Sequence, residues 1–210
     1  MNMGILGYYK PSAGLIMLRE QILGKERFDN AFKTYVARWA FKHPTPDDFF
    51  RTIENVAGED LNWFFNQWFF AKGHPELAIA VDYSQPENLL LRFSQVQDSF
   101  EYPVFQLPIT VSWYEGEVRK TKIVQLTKAQ QEIALENGNP ISLVYVNEGQ
   151  EILMKGNQVM SNAQYLRQFK ESQLGVARFA ALDSLVSRDA AEELGATHTA
   201  PMISTVFFDN

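Results

Sequence analysis

The stretch HPTPDDFFRTIENVAGEDLNWFFNQWFFAKGHP, residues 43–75, decides how the first part of this chain folds. It reads as two helices with marked ends. Thr45 stands where an N-cap belongs, Pro46 suits the first helical position, and Asp47 and Asp48 face the positive end of the helix dipole. Thr45 followed by Asp48 approximates a capping box, with Asp in place of the usual Glu or Gln. Gly58 stops that helix. The next begins near Asp60, carries LNWFFNQWFF, and stops at Gly73 with Pro75 beyond. Its apolar residues, Leu61, Trp63, Phe64, Phe65, Trp68, Phe69 and Phe70, surround most of the helix. Burial on more than one side is expected.

Upstream, Leu15, Ile16, Leu18, Ile22 and Leu23 fall at helical spacing from Ser12 onward, and Gly24 sits where a C-terminal cap is expected. Phe28, Phe32, Tyr35, Val36 and Trp39 then recur at helical steps and mark a second amphipathic helix. Downstream of Gly73 the period changes. Leu77, Ile79 and Val81 alternate, as do Leu89, Leu91 and Phe93, and the segments 104–114, 118–126 and 142–146 follow suit. The separators SQPEN, YEGE, ENGNP and NEGQ are turn signals. This spacing fits a small antiparallel sandwich. Residues 127–136 are ambiguous between a helical turn and a strand, with the second half leaning to strand. From about Gln158 the helical period returns and suggests a hairpin of two helices. The last segment, from Leu194, has no helix signal.

Composition narrows the function classes. The chain has 210 residues, 46% of them apolar, which is enough to bury a sizeable core. Net charge is −6 with no run of basic residues, which argues against a nucleic-acid partner. There is no cysteine, so neither a disulfide framework nor a thiolate metal site can form. No apolar run approaches the length of a membrane span, so membrane insertion is not expected.

Recognisable catalytic motifs are absent. The three histidines, His43, His74 and His198, include no pair four residues apart, and H-E-x-x-H does not occur. Nor do G-x-S-x-G, G-x-G-x-x-G or the P-loop pattern. His43 and His74 each precede a proline at a helix end and read as solvated turn residues. The pairs Asp47 with Asp48 and Glu59 with Asp60 read as helix caps before they read as acid–base machinery. LNWFFNQWFF reads as core.

The stretch GYYKP, residues 7–11, is less easily explained as packing. Two phenols and an amine stand at the entrance of an apolar helix. Taken together with Leu23, Gly24 and Phe28, with Thr45, Asp48 and Phe49, and with Asp60, Leu61, Phe64, Phe65 and Trp68, it resembles the zinc aminopeptidases of the membrane alanyl aminopeptidase (gluzincin) family. Tyr8, Lys10 and Pro11 match the family's Y-x-K-[G/P] motif, with Pro11 in place of the commoner Gly. The resemblance implies that Tyr8 donates a hydrogen bond to the oxyanion of the tetrahedral intermediate, with Tyr9 as the alternative. A preorganised phenol aimed at developing charge lowers the barrier of such a reaction. The other motifs look like packing signatures.

The resemblance also implies a multidomain α and β architecture. Residues 1–73 are expected to be the helical half of a thermolysin-like peptidase domain, 74–156 an antiparallel β-sandwich module, and 157–210 the start of an α-helical repeat domain. The family's zinc ligands, its general base and its amine-recognition motif have no counterpart here. The chain therefore looks like the C-terminal portion of a zinc aminopeptidase without its zinc-binding half, inactive alone and with no zinc expected on it. A peptide is the substrate of the parent enzyme. The alternative is a non-catalytic interaction module built on the same scaffold. A partner that supplies the zinc half in trans is a third arrangement. The first of these readings expects residues 1–73 to expose an apolar face once covered by the missing half, with self-association as one consequence.

Overall fold

The computed structural model describes residues 10–156 and 158–190, with backbone only for 188–190. Tyr8, Tyr9 and the segment from Leu194 lie outside the described residues. The described residues run through four α-helices, two of which continue as π-helical segments, then six strands and two further α-helices.

Helix α1, Lys10–Met17, continues into a π-helical segment, Leu18–Ile22, closed by a bond from Leu23 N to Leu18 O. After Gly24 comes α2, Lys25–Trp39, and then α3, Pro46–Ala57. The start of α3 carries the expected cap: Asp48 N donates to the Thr45 hydroxyl, and Thr45 N donates to the Asp48 carboxylate at 2.8 Å. Gly58 closes α3 in the left-handed conformation. The aromatic segment is α4, Asn62–Phe65, followed by a second π-helical segment, Asn66–Phe70. A π turn adds one residue per turn and shifts which side chains share a face.

The expectation for LNWFFNQWFF is met along most of its length. Leu61, Phe64, Phe65 and Trp68 are buried, while Phe70 lies at the outer edge and is exposed. Phe50 of α3 is the hub of this aromatic layer, with ring centroids 4.3 Å from Phe65 and 5.2 Å from Phe69. Each fully buried ring of this kind contributes about 1.5–3 kcal/mol.

Two antiparallel sheets follow. In the first, β1 (Leu77–Asp82), β2 (Asn88–Gln95) and β5 (Gln130–Glu136) lie in the order β1-β2-β5. In the second, β3 (Leu107–Glu115) is the middle strand between β4 (Val118–Leu126) and β6 (Val144–Val146). The ambiguous stretch 127–136 is strand from Gln130, paired to β2 with Leu89 opposite Leu135. Leu77, Leu89, Leu91 and Phe93 of the first sheet share one core with Leu107, Ile109, Val111 and Val124 of the second. That core continues without a break into Met17, Phe64 and Trp68 of the helices.

β3 is buried along most of its length because both of its faces are covered. Its odd-numbered apolar residues enter the core. Its even-numbered Thr110 and Ser112 are polar yet also buried, and they face partners outside the sheet. The hairpin of α5 (Asn162–Glu171) and α6 (Gly175–Ala190) covers the flank of the second sheet. Tyr145, Met160, Tyr165, Ala181 and Leu185 form a smaller core there.

The free edge of β1 is met by Lys155 and Gln158. Leu77 N donates to Lys155 O at 2.8 Å, and Lys155 N donates to Pro75 O at 2.8 Å. Gln158 then ties this segment to β6, donating to Val144 O and accepting from Val146 N. The approach is possible only at Gly156. Its φ is +98°, and a Cβ there would come within 2.0 Å of Leu77 O. Gly156→Ala is therefore expected to destabilise the fold by about 2 kcal/mol or more. A urea unfolding midpoint equal to that of the parent chain would contradict this account of the edge.

Candidate functional site

The first residue described, Lys10, belongs to the Y-x-K motif. Its ammonium donates to Ala71 O at 2.8 Å, and burial lowers its pKa. Ala71 follows the second π-helical segment, where the helix presents the negative end of its dipole, so a cation is favoured at that point. One turn further along α1, Gly14 lies against the ring of Phe69. A Cβ on Gly14 would sit 3.2 Å from Phe69 Cζ, tighter than ordinary contact. Lys10 and Gly14 together hold the entrance of α1 on the aromatic helix. Pro11 in the first turn suits a helix start.

The other motif residues pack or cap, as their types suggest. Leu23 and Phe28 are in the core, and Asp60 accepts from Asn62 N at 2.8 Å. Glu59 pairs with Arg27 at 2.8 Å, and the Thr45 bonds hold Asp48 below the usual carboxylate range. Neither carboxylate pair makes an acid–base dyad. His74 Nε2 lies 3.9 Å from Glu76. Among the described residues, no group of three His, Cys, Asp or Glu side chains could hold a metal ion. The described residues therefore do not fit a zinc site, and no chemical step is assigned to zinc on them.

Beside α1 lies a cavity of about 370 Å³, bounded by Ala13 and Ile16 of α1, by Glu151 and Met154, and by Tyr165 and Ala180 of the hairpin. Tyr145 Oη and Glu151 Oε2 are buried near it, with no hydrogen-bond partner among the described residues. Burial pushes the Tyr145 hydroxyl well above the ordinary tyrosine range, so it stays protonated. The wall is mixed in character, largely apolar with amide and carboxylate groups around it.

A buried carboxylate stands behind this wall. The side chain of Glu148 has no exposed surface. It accepts from Ser112 Oγ at 2.7 Å, Arg119 Nε at 2.8 Å, Ser172 Oγ at 2.7 Å and Tyr114 Oη at 3.1 Å. These partners lie on β3, on β4 and just beyond α5, so one charge joins the sandwich to the hairpin. Burial alone would raise its pKa, but the bonds from Ser112, Arg119 and Ser172 outweigh it and hold the pKa below 4.5. Sequence reading took NEGQ only as a turn, and nothing in it marks Glu148 as buried.

A pKa lowered on folding stabilises the protein above the unfolded value and loses that contribution as pH falls through the folded value. The chain should therefore keep this contribution at neutral pH and lose it below pH 4.5. Glu148→Ala leaves Arg119 without its partner and is expected to cost about 3–5 kcal/mol at pH 7, with less acid sensitivity remaining in the variant. Equal stability of parent and variant at pH 7, measured by urea unfolding, would contradict the role assigned to Glu148.

Comparisons with known proteins agree on the scaffold. Residues 4–68 match the sequence model of the peptidase family M1 domain. Aminopeptidase N of Escherichia coli is 26% identical over 148 residues, which is 68% of this chain and 16% of the relative. Aminopeptidase N of Haemophilus influenzae is 28% identical over 51% of this chain and 13% of its own length. The crystal structure of Legionella pneumophila aminopeptidase A in complex with aspartic acid superposes with a TM-score of 0.72 at 19% identity, over 90% of this chain and 22% of that one. The chain thus spans less than a quarter of these relatives. The chain is similar over residues 4–68 to the peptidase family M1 domain, and over part of its length to aminopeptidases.

Proposed function

We propose that this chain is the C-terminal portion of a zinc-dependent aminopeptidase, which removes N-terminal residues from peptides, and that its own catalytic contribution is the phenol of Tyr8. The anchor at Lys10 carries this reading. An ammonium two residues beyond Tyr8 is tied to Ala71 O and anchors the start of α1. The match to the M1 domain over residues 4–68 includes Tyr8 and supports the same register. A preorganised phenol can donate to an oxyanion that forms only in the transition state, without reorganising as charge develops. It supplies neither a nucleophile nor a metal. The H-E-x-x-H helix is absent from the sequence, so the isolated chain is read as inactive. In this proposal residues 1–73 are the helical half of a thermolysin-like domain, 74–156 the sandwich module and 157–210 the opening of a helical domain.

A chimera tests the role of Tyr8. Residues 4–68 would replace the matching segment of Escherichia coli aminopeptidase N, and hydrolysis of a leucyl amide would be measured. The chimera should turn over, and Tyr8→Phe should lower kcat by about 100–1,000-fold with a much smaller change in KM. Tyr9→Phe should stay within a few-fold of the chimera. A Tyr8→Phe chimera that binds zinc and retains full kcat would remove the catalytic role and favour the alternative, a non-catalytic interaction module on the same scaffold.

A further inference from the structure

The loop that follows β6 is shaped in a way that connecting two elements does not require. Asn147 and Gln150 both take a φ of +53°, a left-handed conformation that residues with side chains seldom adopt. The loop is held in it. Gln150 N donates to Asn147 O at 2.9 Å, while the side-chain amide of Asn147 donates to Ile152 O and accepts from Ile152 N. The same turn brings the carboxylate of Glu151 back over Gly149, where any Cβ would collide with Glu151 Oε1. Backbone held like this clusters where a side chain is aimed at a ligand. Here the aimed side chain is Glu151, at the wall of the 370 Å³ cavity beside α1.

Two polar groups of that wall are left over once the protein's own bonds are made. Glu151 Oε2 is buried without a hydrogen-bond partner among the described residues, and so is Tyr145 Oη, on a residue only 1% exposed. Their polar neighbours are occupied: Gln158 bonds both ways with β6, Asn147 with Ile152, and Glu148 with its four donors. One carboxylate oxygen therefore lacks a donor, and one phenol that stays protonated lacks an acceptor. A buried polar group left unpaired costs free energy that a ligand can recover. Much of the remaining wall is apolar, with Ile16, Leu153, Met154, Met160 and Ala180. Ile16 belongs to the apolar stripe of α1 and is nevertheless 54% exposed, so covering it is favourable. Water could serve the two polar groups but would leave that wall wet. The volume lies within the usual range of small-molecule pockets, about 300–1,000 Å³.

We propose that this cavity binds a small amphiphilic amine that carries a carbonyl group. Its ammonium donates to Glu151 Oε2, its carbonyl oxygen accepts from Tyr145 Oη, and its apolar body covers Ile16, Met154 and Met160. An ammonium suits Glu151 better than a neutral donor, because a charge-assisted bond is the stronger one where water is scarce. An anion is disfavoured by Glu151 and by the Glu148 carboxylate behind the same wall. The proposal draws on residues 16 and 145–180 and not on Tyr8, so it stands or falls apart from the aminopeptidase reading.

Isothermal titration calorimetry of the full chain with ω-aminoalkanamides of increasing chain length tests it. At least one member should bind at a single site, and at least about tenfold more tightly than the alkanamide of the same length, which lacks the ammonium. Glu151→Gln should weaken that binding by about tenfold or more, and Tyr145→Phe by about three- to tenfold. Ala180→Leu, whose longer side chain would enter the cavity, should weaken it as well, with circular dichroism of the variants unchanged. Glu151 and Ala180 are only partly buried, so these two variants decide the matter even where Tyr145→Phe does not fold. A series in which no member outbinds its alkanamide would overturn the proposal, since the cavity then holds only water. Affinity unchanged by Glu151→Gln or by Ala180→Leu would overturn it too.

Discussion

Gln67 is the residue on which the joining of helices to sheet depends. Its side-chain amide donates to Gln106 O at 2.9 Å and accepts from Gln106 N at 2.7 Å. Gln67 is itself buried, and both ends of its amide are satisfied by one residue of the backbone leading into β3. Leaving either end unpaired there would cost about 1–3 kcal/mol. Next to it, Trp68 packs on Phe105 with ring centroids 5.7 Å apart. The polar pair sets the register and the aromatic pair fills the space, so the helical layer and the sandwich share one core. Gln21 in the other π-helical segment repeats the theme more weakly, accepting from Thr110 Oγ1 at 3.2 Å.

The same seam explains how the site region is held. Lys10 reaches Ala71, the residue that follows the turn carrying Gln67 and Trp68. The start of α1 is therefore referenced to the element that is itself fixed to β3. On the other face of β3, Ser112 and Tyr114 reach Glu148, and Glu148 reaches Ser172 at the hairpin. A single buried strand thus relates the helices at one end of the chain to those at the other. The cavity beside α1 lies between these two attachments.

Much of this fold is written locally. Thr45, Pro46, Asp48 and Gly58 act within a few residues of themselves, so their roles could be read directly. Strand alternation marked five of the six strands and left β5 ambiguous, with only its second half leaning to strand. What could not be read depends on distant partners. The π turns at Leu18–Ile22 and Asn66–Phe70 leave no mark in a helical period, yet they decide where Gln21 and Gln67 point. Glu148 sits in a stretch that has the composition of a turn and becomes a buried anchor only when β3, β4 and the hairpin meet around it. The stripe on α2 was visible as a pattern, but the pattern does not say how little of it the fold buries. Of the candidate site, Lys10 is placed with a partner that no spacing could have named, and Tyr8 is proposed from its motif alone.

The central proposal is that this chain is a portion of an aminopeptidase that contributes the phenol of Tyr8 but no H-E-x-x-H motif. Zinc content per chain, measured by elemental analysis on the purified protein alongside a leucyl-amide assay, tests it most directly. The account predicts no stoichiometric zinc and no turnover. One tightly held zinc per chain with turnover would contradict it.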